Sequence, residues 1–430
     1  MDYIQELKDK LSGGAYDGTF SHLYGKEQAE KQAARLSGLA DKFQELYGQP
    51  EQSLRIFSAP GRTEIGGNHT DHQNGRVLAA SINLDTVGIA CKNAENIVRI
   101  QSVGYKQDVV DLGDLEIKET EKNKAISVIR GVCARMKALG YTVGGFDVYT
   151  TSDVPGGSGL SSSAAFENLI ATTMNYLYND GKIDAVTIAQ IGQYAENNYF
   201  GKPSGLLDQG TSAVGGFVTI DFEDTQKPVV EPVDFDFAGS GHALCVVTTD
   251  SDHSDLTDEY AAVSWEMGSV AAYFGKEKLR GVDPAEFYSK LPQVREKVGD
   301  RAVLRAMHFF GDNDRVPLQV EALRAENFEL FKVLVIESGR SSYMQLQNVY
   351  STKTPQQQGL SLALSLSEKL LSPVGGAWRV HGGGFAGTIM AFVPDNALEH
   401  YRSYMESVFG EGACQVLSVR PVGAVEITAN

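Results

Sequence analysis

The sequence has no apolar run approaching the ~20 residues a membrane-spanning helix requires, so no segment is expected to cross a bilayer. It is also short of positive charge. Its 38 Lys and Arg face 55 Asp and Glu, a formal net charge of −17, and most of such a surface would repel a nucleic acid or an anionic membrane. Cysteine is scarce and scattered: Cys91, Cys133, Cys245 and Cys414 lie mostly in apolar runs without CxxC spacing. This points to buried reduced thiols, hence a cytoplasmic protein, rather than a disulfide framework or a metal cluster. The opening residues, Met1 to Lys10, are charged rather than signal-like. Internal repeats and low-complexity tracts are missing. So are the Walker signature G-x-x-x-x-G-K-[ST], the G-x-S-x-G elbow and the H-E-x-x-H zinc motif, which disfavours P-loop nucleotide binding and hydrolase chemistry.

What is present is a globular composition, 42% hydrophobic, over a length that suits two domains. The Pro- and acid-rich stretch Glu223 to Asp236 is the best candidate boundary, dividing residues 1–225 from 226–430. Residues 24 to 47 place Ala33, Leu36, Leu39, Ala40, Phe43 and Leu46 at helical spacing. Strands are expected at Val87 to Cys91, Ile97 to Ser102, Phe146 to Thr150 and Phe217 to Phe222, with helices at Ile126 to Leu139, Ala165 to Leu177 and Ala185 to Phe200. A second set comprises strands Ala243 to Thr249, Thr388 to Val393 and Gly423 to Thr428, and helices Phe328 to Ser338 and Gln356 to Leu371. The mixture reads as α+β.

The most informative segment is Val154-Pro-Gly-Gly-Ser-Gly-Leu-Ser-Ser-Ser-Ala-Ala165, a glycine turn feeding three serines straight into a helix. Gly156, Gly157 and Gly159 allow close backbone approach, and Ser161 to Ser163 sit where unpaired amides and the helix dipole favour anions. This is a phosphate cradle rather than a mobile linker. A second glycine run, His381 to Gly387, matches G-x-G-x-x-G but precedes an apolar strand rather than opening a helix, so a dinucleotide fold is not expected. Ala59-Pro-Gly-Arg-Thr-Glu-Ile-Gly-Gly-Asn-His-Thr-Asp-His72 packs a cation, two imidazoles and two carboxylates into what reads as a glycine-rich binding loop. His69 and His72 have metal-pair spacing, but no third histidine or cysteine ligand is recognisable.

Taken together and in order, Pro60-Gly-Arg62 through His69-Thr-Asp71, Pro155 through Ala164, and Gly382 through Gly387 resemble the three motifs of the GHMP small-molecule kinases. The first motif is most similar to the galactokinase branch. So are Glu196-Asn-Asn-Tyr-Phe-Gly-Lys-Pro-Ser-Gly-Leu-Leu-Asp-Gln209 and His253-Ser-Asp-Leu-Thr-Asp-Glu-Tyr260. The resemblance implies a two-domain α+β GHMP fold with the active site between the lobes, and ATP- and Mg²⁺-dependent phosphorylation of the anomeric hydroxyl of galactose. Its partners are then a small sugar and ATP. By the same resemblance Asp208 orients or deprotonates the acceptor and Arg62 balances charge; Gly156, Gly157, Ser158, Gly159, Leu160, Ser161, Ser162 and Ser163 hold the nucleotide. Ser163 and Glu196 would bind Mg²⁺, and Asn68, His69, Asp71, Gly205 and Tyr260 the sugar.

Four positions depart from the galactokinase pattern: Asn68 in place of a glutamate, His72 of a tyrosine, Glu64 of an asparagine, Ala386 of a glycine. The first two leave room for a GHMP kinase of another sugar, such as galacturonate or arabinose. A non-catalytic sugar-sensing regulator is the alternative from another class, but such relatives lack two residues of the serine loop, whereas Ser163, Ala164 and Ala165 are all present.

Overall fold

The computed structural model describes residues 2–156, 159–249 and 256–430. The chain forms two compact units. Unit 1 comprises Met1–Arg62, Ser81–Gly216 and Arg420–Asn430, and unit 2 comprises Thr63–Ala80 and Phe217–Val419. The division falls within two strands, between Arg62 and Thr63 and between Ala80 and Ser81.

In unit 1 helices α1 (Tyr3–Ser12), α2 (Asp17–Tyr24) and α3 (Ala29–Tyr47) precede strands β1 (Arg55–Gly66), β2 (Arg76–Lys92), β3 (Ile97–Ser102) and β4 (Asp108–Asp111). Helix α4 (Ala125–Ala138), strand β5 (Phe146–Ser152) and helices α5 (Ser162–Tyr178), α6 (Ala185–Ala195) and α7 (Leu207–Val214) follow. The strand order is β12-β1-β2-β5-β3-β4, where β12 (Val425–Ile427) returns from the C-terminus to pair antiparallel with β1. β5 runs antiparallel to β2 and parallel to β3. Side chains alternate across this sheet. Val87, Ile89 and Cys91 enter the core built by Leu7, Phe20, Leu36, Leu39 and Phe43 of the N-terminal helices. A Cβ at Gly88, on the opposite face, would meet Val148, Thr150 and Leu169 of α5. Both faces are covered, which is why the stretch Val87 to Cys91 of β2 is an unbroken apolar run.

Unit 2 contains β6 (Phe217–Asp221), paired with the start of β2 and with β7 (Val229–Val233), and a four-stranded antiparallel sheet. That sheet has the order β11-β8-β10-β9, from β8 (His242–Thr248), β9 (Ala377–Val380), β10 (Thr388–Pro394) and β11 (Cys414–Leu417). Its core includes Val247, Trp378 and Ile389, closed by α13 (Gly359–Leu371) and α14 (Leu398–Phe409). A second core, around Met267, Phe287 and Phe309, joins α8 (Thr257–Tyr273), α9 (Pro284–Ser289), α10 (Leu291–Val298) and α11 (Asp300–Arg324). Helix α12 (Phe328–Ser341) packs on α11 and β9. All four cysteines are buried and unpaired. Among the described residues no helix is long and apolar enough to cross a membrane.

The glycine-rich segment expected as a loop is instead mostly strand, since β1 runs through Pro60, Gly61 and Arg62 to Gly66. Its glycines answer to close approach. A Cβ at Gly61 would lie 2.7 Å from the Leu160 carbonyl oxygen, and one at Gly66 2.0 Å from Gln319 Oε1. Helix α11 is absent from the sequence expectation for a different reason. The buried face of α11 carries Arg305, His308, Asp312, Asn313 and Gln319, so burial there does not follow hydrophobicity.

Unit 1 is tied together by one carboxylate. Asp85 of β2 is fully buried and accepts from Tyr24 Oη at 2.6 Å, Arg35 Nη1 at 2.7 Å, Arg420 Nη1 at 3.3 Å and the Ser58 hydroxyl. Burial pushes this carboxyl up, but Arg35, Arg420 and the two hydroxyls outweigh it and hold it below its ordinary value. Asp85→Asn leaves the buried Arg420 guanidinium without its counter-charge and should cost about 3–5 kcal/mol of stability in urea at neutral pH. The difference from wild type should narrow as the pH falls below ~4, because a depressed carboxyl stabilises above its unfolded value and loses that contribution on protonation. A loss below ~1 kcal/mol would mean that Asp85 does not tie the unit.

Candidate active site

In unit 1 the end of β1, the glycine–serine loop and the start of α7 meet. The Arg62 amide donates to the Leu160 carbonyl at 3.0 Å, and its guanidinium donates to the Gly159 carbonyl. The same guanidinium reaches Asp208 Oδ1 through Nε at 2.8 Å and Nη2 at 2.6 Å. The other carboxylate oxygen, Oδ2, accepts from the Ser161 hydroxyl. Asp208 stands in the first turn of α7 with 30% of its side chain exposed, open enough to meet a ligand. Burial pushes its carboxyl up, yet Arg62, the Ser161 hydrogen bond and Lys202 together hold it below the usual carboxylate value. It is therefore ionised throughout the physiological range.

Ser161 has φ 60°, ψ 59° and, as N-cap of α5, makes no side-chain capping bond because its hydroxyl is turned to Asp208. The first turn of α5 has no acidic residue. A helix start of this kind, with Ser162 and the exposed Ser163 in its first turn, favours an anion. Gly156 is exposed and open, Gly159 has φ 74°, and Leu160 is buried. Gly157 and Ser158 lie outside the described residues.

Glu196 begins a π-helical turn, Glu196–Phe200, that continues α6. Its Oε1 meets Lys202 Nζ at 2.9 Å, while Oε2 accepts from Ser204 Oγ at 2.6 Å and Gln209 Nε2 at 2.9 Å. The same Gln209 nitrogen lies 2.8 Å from Glu167 Oε2, so one carboxamide bridges two carboxyl groups next to Asp208. Burial, then the Glu196 charge, pushes the Glu167 carboxyl well above its ordinary value. Glu167 belongs to none of the motifs, and its one signal in the sequence is that of an acid close to the apolar Ala165 on a helix with a buried face. Gly205 is exposed, just ahead of α7.

Unit 2 gathers the remaining candidates. Asn68 is fully buried, and its Nδ2 donates to Glu64 Oε1 at 2.9 Å and to the Gly382 carbonyl at 2.8 Å. Two departures from the family pattern are thus bonded to each other. His69, at φ 60°, places Nε2 2.9 Å from the Gly383 carbonyl; since a carbonyl only accepts, Nε2 carries the proton. Burial first, and then His72, pull the His69 imidazole down to about 4, so it is neutral and Nδ1 remains an acceptor. Asp71 is half-buried, and its Oδ1 accepts from the His72 amide at 2.9 Å. Tyr260 of α8 donates to the Gly384 carbonyl at 2.9 Å and meets Phe385 edge-on at 5.5 Å. His253, part of the motif leading to Tyr260, lies outside the described residues.

Each unit therefore assembles part of the expected set: Arg62, Asp208, Ser161 and, through Gln209, Glu196 in the first; Asn68, His69 and Tyr260 around the Gly382–Phe385 loop in the second. Asp312, His308, Asn348 and Arg379, which support Asn68 and Glu64, are not singled out by sequence. Each is distant in the chain and stands outside any motif.

Comparison with known proteins gives one consistent result. Residues 123–216 match the family described as GHMP kinases N terminal domain, and residues 41–92 the galactokinase galactose-binding signature. The chain is 32% identical over 369 residues to the galactokinase of Actinobacillus pleuropneumoniae serotype 3, covering 84% of this chain and 90% of that one. It is 30% identical over 373 residues to the galactokinase of Streptomyces coelicolor, covering 86% and 92%. Among solved structures, Lactococcus lactis galactokinase complexed with galactose superposes with a TM-score of 0.74 at 24% identity, over 91% of this chain and 99% of that one. A mevalonate kinase superposes at 0.58 with 14% identity, over 84% and 99%. At these identities the superpositions establish the fold.

The His69 environment generates a pH prediction. Its folded value lies below the ordinary imidazole value near 6.5, so between pH ~6.5 and ~4 the unfolded state binds the proton and the folded state does not. Stability should therefore fall as the pH is lowered through this window, and the His69 ring resonances should stay unshifted from pH 8 to ~5. A proton NMR titration midpoint for His69 near 6.5 would contradict the buried, neutral assignment.

Proposed function

The chain belongs to the galactokinases of the GHMP kinase family, and from that premise we propose that it transfers the terminal phosphoryl group of ATP to the anomeric hydroxyl of galactose, with Asp208 and Arg62 as its catalytic residues. The observation that carries the assignment of roles is the Arg62–Asp208 pair, joined to Ser161 at a helix N-terminus that favours anions.

Phosphoryl transfer asks the protein for alignment of the acceptor and for charge stabilisation. The Asp208 carboxylate accepts a hydrogen bond from the anomeric hydroxyl and points its oxygen at the γ-phosphorus. The new O–P bond forms as the bond to the bridging oxygen of ADP breaks, and the hydroxyl proton passes to Asp208 and then to water. A carboxylate held down by Arg62 is a weak base, so the proton moves late and orientation is the larger contribution. Arg62, on the same carboxylate, offsets the charge that gathers on the phosphoryl oxygens. Gly156, Gly157, Ser158, Gly159 and Leu160 shape the loop that admits the nucleotide, and the first-turn amides of α5 with Ser161 to Ser163 receive its phosphates. His69 Nδ1, Asp71, Gly205 and Tyr260 serve as sugar contacts.

The donor set also fits a magnesium ion. Glu196 Oε1 is met by the Lys202 ammonium, whose side chain is 55% exposed, so a hard cation can replace that charge without uncovering a buried group. Glu196 and the exposed Ser163 hydroxyl would hold it, with phosphate oxygens and water completing the shell. Bound there, it would neutralise part of the nucleotide charge. The four buried, unpaired thiols support the cytoplasm as the place of work.

Asp208→Asn should lower kcat by ~10³ or more while calorimetry still detects galactose binding, since orientation and proton acceptance are lost but the pocket's shape persists. Arg62→Ala should fall by a similar ~10³. Near wild-type kcat in either variant would remove that residue from the chemistry.

For the metal, Glu196→Gln and Ser163→Ala should each raise the Mg²⁺ concentration giving half-maximal rate, because an oxygen ligand is weakened or lost. Unchanged Mg²⁺ dependence in both would return Glu196 to its bonds with Ser204 and Gln209, and Ser163 to an ordinary helix start.

A further inference from the structure

We infer that Asn68 does not contact the sugar but positions His69, and that it does so as one hydrogen-bonded pair with the Glu64 carboxylate. A carboxamide offers two hydrogens and two acceptor sites, and all four are committed inside unit 2. Nδ2 donates to Glu64 Oε1 at 2.9 Å and to the Gly382 carbonyl at 2.8 Å. Oδ1 accepts from Asn348 Nδ2 at 2.8 Å and Ser342 Oγ at 3.2 Å. The backbone is engaged too: its N–H donates to Asp312 Oδ2 at 2.9 Å, and its carbonyl accepts from His308 Nε2 at 2.9 Å. With the residue fully buried, no group of Asn68 is left to meet a sugar hydroxyl.

The direction of this network is dictated by position 64. A carboxylate and a carbonyl can only accept, so residue 68 must turn a donor toward them. The carboxylate in turn belongs at 64, because Arg379 Nη2 lies 3.3 Å from Glu64 Oε1 while Arg379 Nε donates to the Val380 carbonyl at 3.0 Å and Nη1 to the Ile65 carbonyl at 2.5 Å. Arg379 is fully buried, and removing its counter-charge is costly. The hub sets both ends of the His69 Nε2 to Gly383 bond, since Asn68 precedes His69 in the chain and bonds the carbonyl of Gly382, the residue before Gly383. A disturbed pair therefore moves the imidazole, not the phosphoryl-transfer groups.

This rests on His69 as a sugar contact, and the test separates the two ideas. Asn68→Asp is nearly isosteric but sets two carboxylates about 3 Å apart, where they repel or one must take up a proton. Adding Glu64→Gln removes the repulsion between the carboxylates and puts a donor opposite the one introduced at position 68, while the Gly382 carbonyl still faces an acceptor. Asn68→Asp should raise the KM for galactose by ~10-fold with kcat and the KM for ATP nearly unchanged, and the double variant should recover part of that loss, since only the contact between positions 64 and 68 is restored. The melting temperatures of wild type, both singles and the double should show the same rescue, whether or not galactose is the substrate. Failure of turnover with galactose in wild type would sink the function while the thermal cycle still reads the pair. If Asn68→Asp does not fold, a folded and active double variant is the same rescue. An unchanged galactose KM in Asn68→Asp, or a double variant no better than Asn68→Asp alone, overturns the inference.

Discussion

The candidate site in unit 1 depends on a single guanidinium. Arg62 holds three pieces of chain that are far apart in sequence: its own amide and side chain grip the carbonyls of Leu160 and Gly159, and its fork closes on Asp208. The grip requires that β1 run against the serine loop closely enough for Gly61 to have no room for a Cβ. From this one constraint follow the ionised state of Asp208, the turning of Ser161 away from its capping role, and a start of α5 that favours anions. A galactokinase needs such a coincidence of aligned carboxylate and anion-receptive helix end.

The molecule uses arginine–carboxylate pairs in two ways, and exposure separates them. Asp85 and Arg420 are fully buried, and Glu64, with 15% of its side chain exposed, lies against the fully buried Arg379; both pairs answer hydrogen bonds from several chain segments. They hold strands and loops in place. Asp208 is partly open and keeps a face for a ligand, though it too is pinned from both sides. Removing one partner of a closed pair strands a buried charge and acts on stability, whereas the role proposed for Asp208 puts the effect of its removal on chemistry. Glu167 is a third kind: bridged through Gln209 to Glu196 and driven toward its neutral form, it acts as a hydrogen-bonded packing group beside Asp208.

Elements whose burial follows hydrophobicity are legible in the amino-acid sequence. Helix α5, with Ala165, Leu169, Met174 and Leu177 inside, and strand β3 over Ile97–Ser102 lie where the pattern puts them. Helix α11 is not legible because Arg305, His308 and Asp312 fill the face that should be apolar, and β1 reads as a loop because close approach demands Gly61 and Gly66. The motifs expose Arg62, Asp208, His69 and Ser163 as candidates because their glycines and charges cluster along the chain. Asp312, Asn348 and Arg379 carry no local signature. They matter only through bonds to Asn68 and Glu64 across hundreds of residues, which a single sequence does not display.

In the proposed reaction Asp208 and Arg62 align the anomeric hydroxyl of galactose with the terminal phosphoryl group of ATP. Phosphorus and carbon NMR of the product formed from ¹³C-labelled galactose, ATP and Mg²⁺ reads the bond that is made. Transfer to the anomeric hydroxyl gives a phosphate coupled to the anomeric carbon, with ADP released in equal amount. A phosphate coupled to the exocyclic carbon, or no sugar phosphate at all, would contradict it.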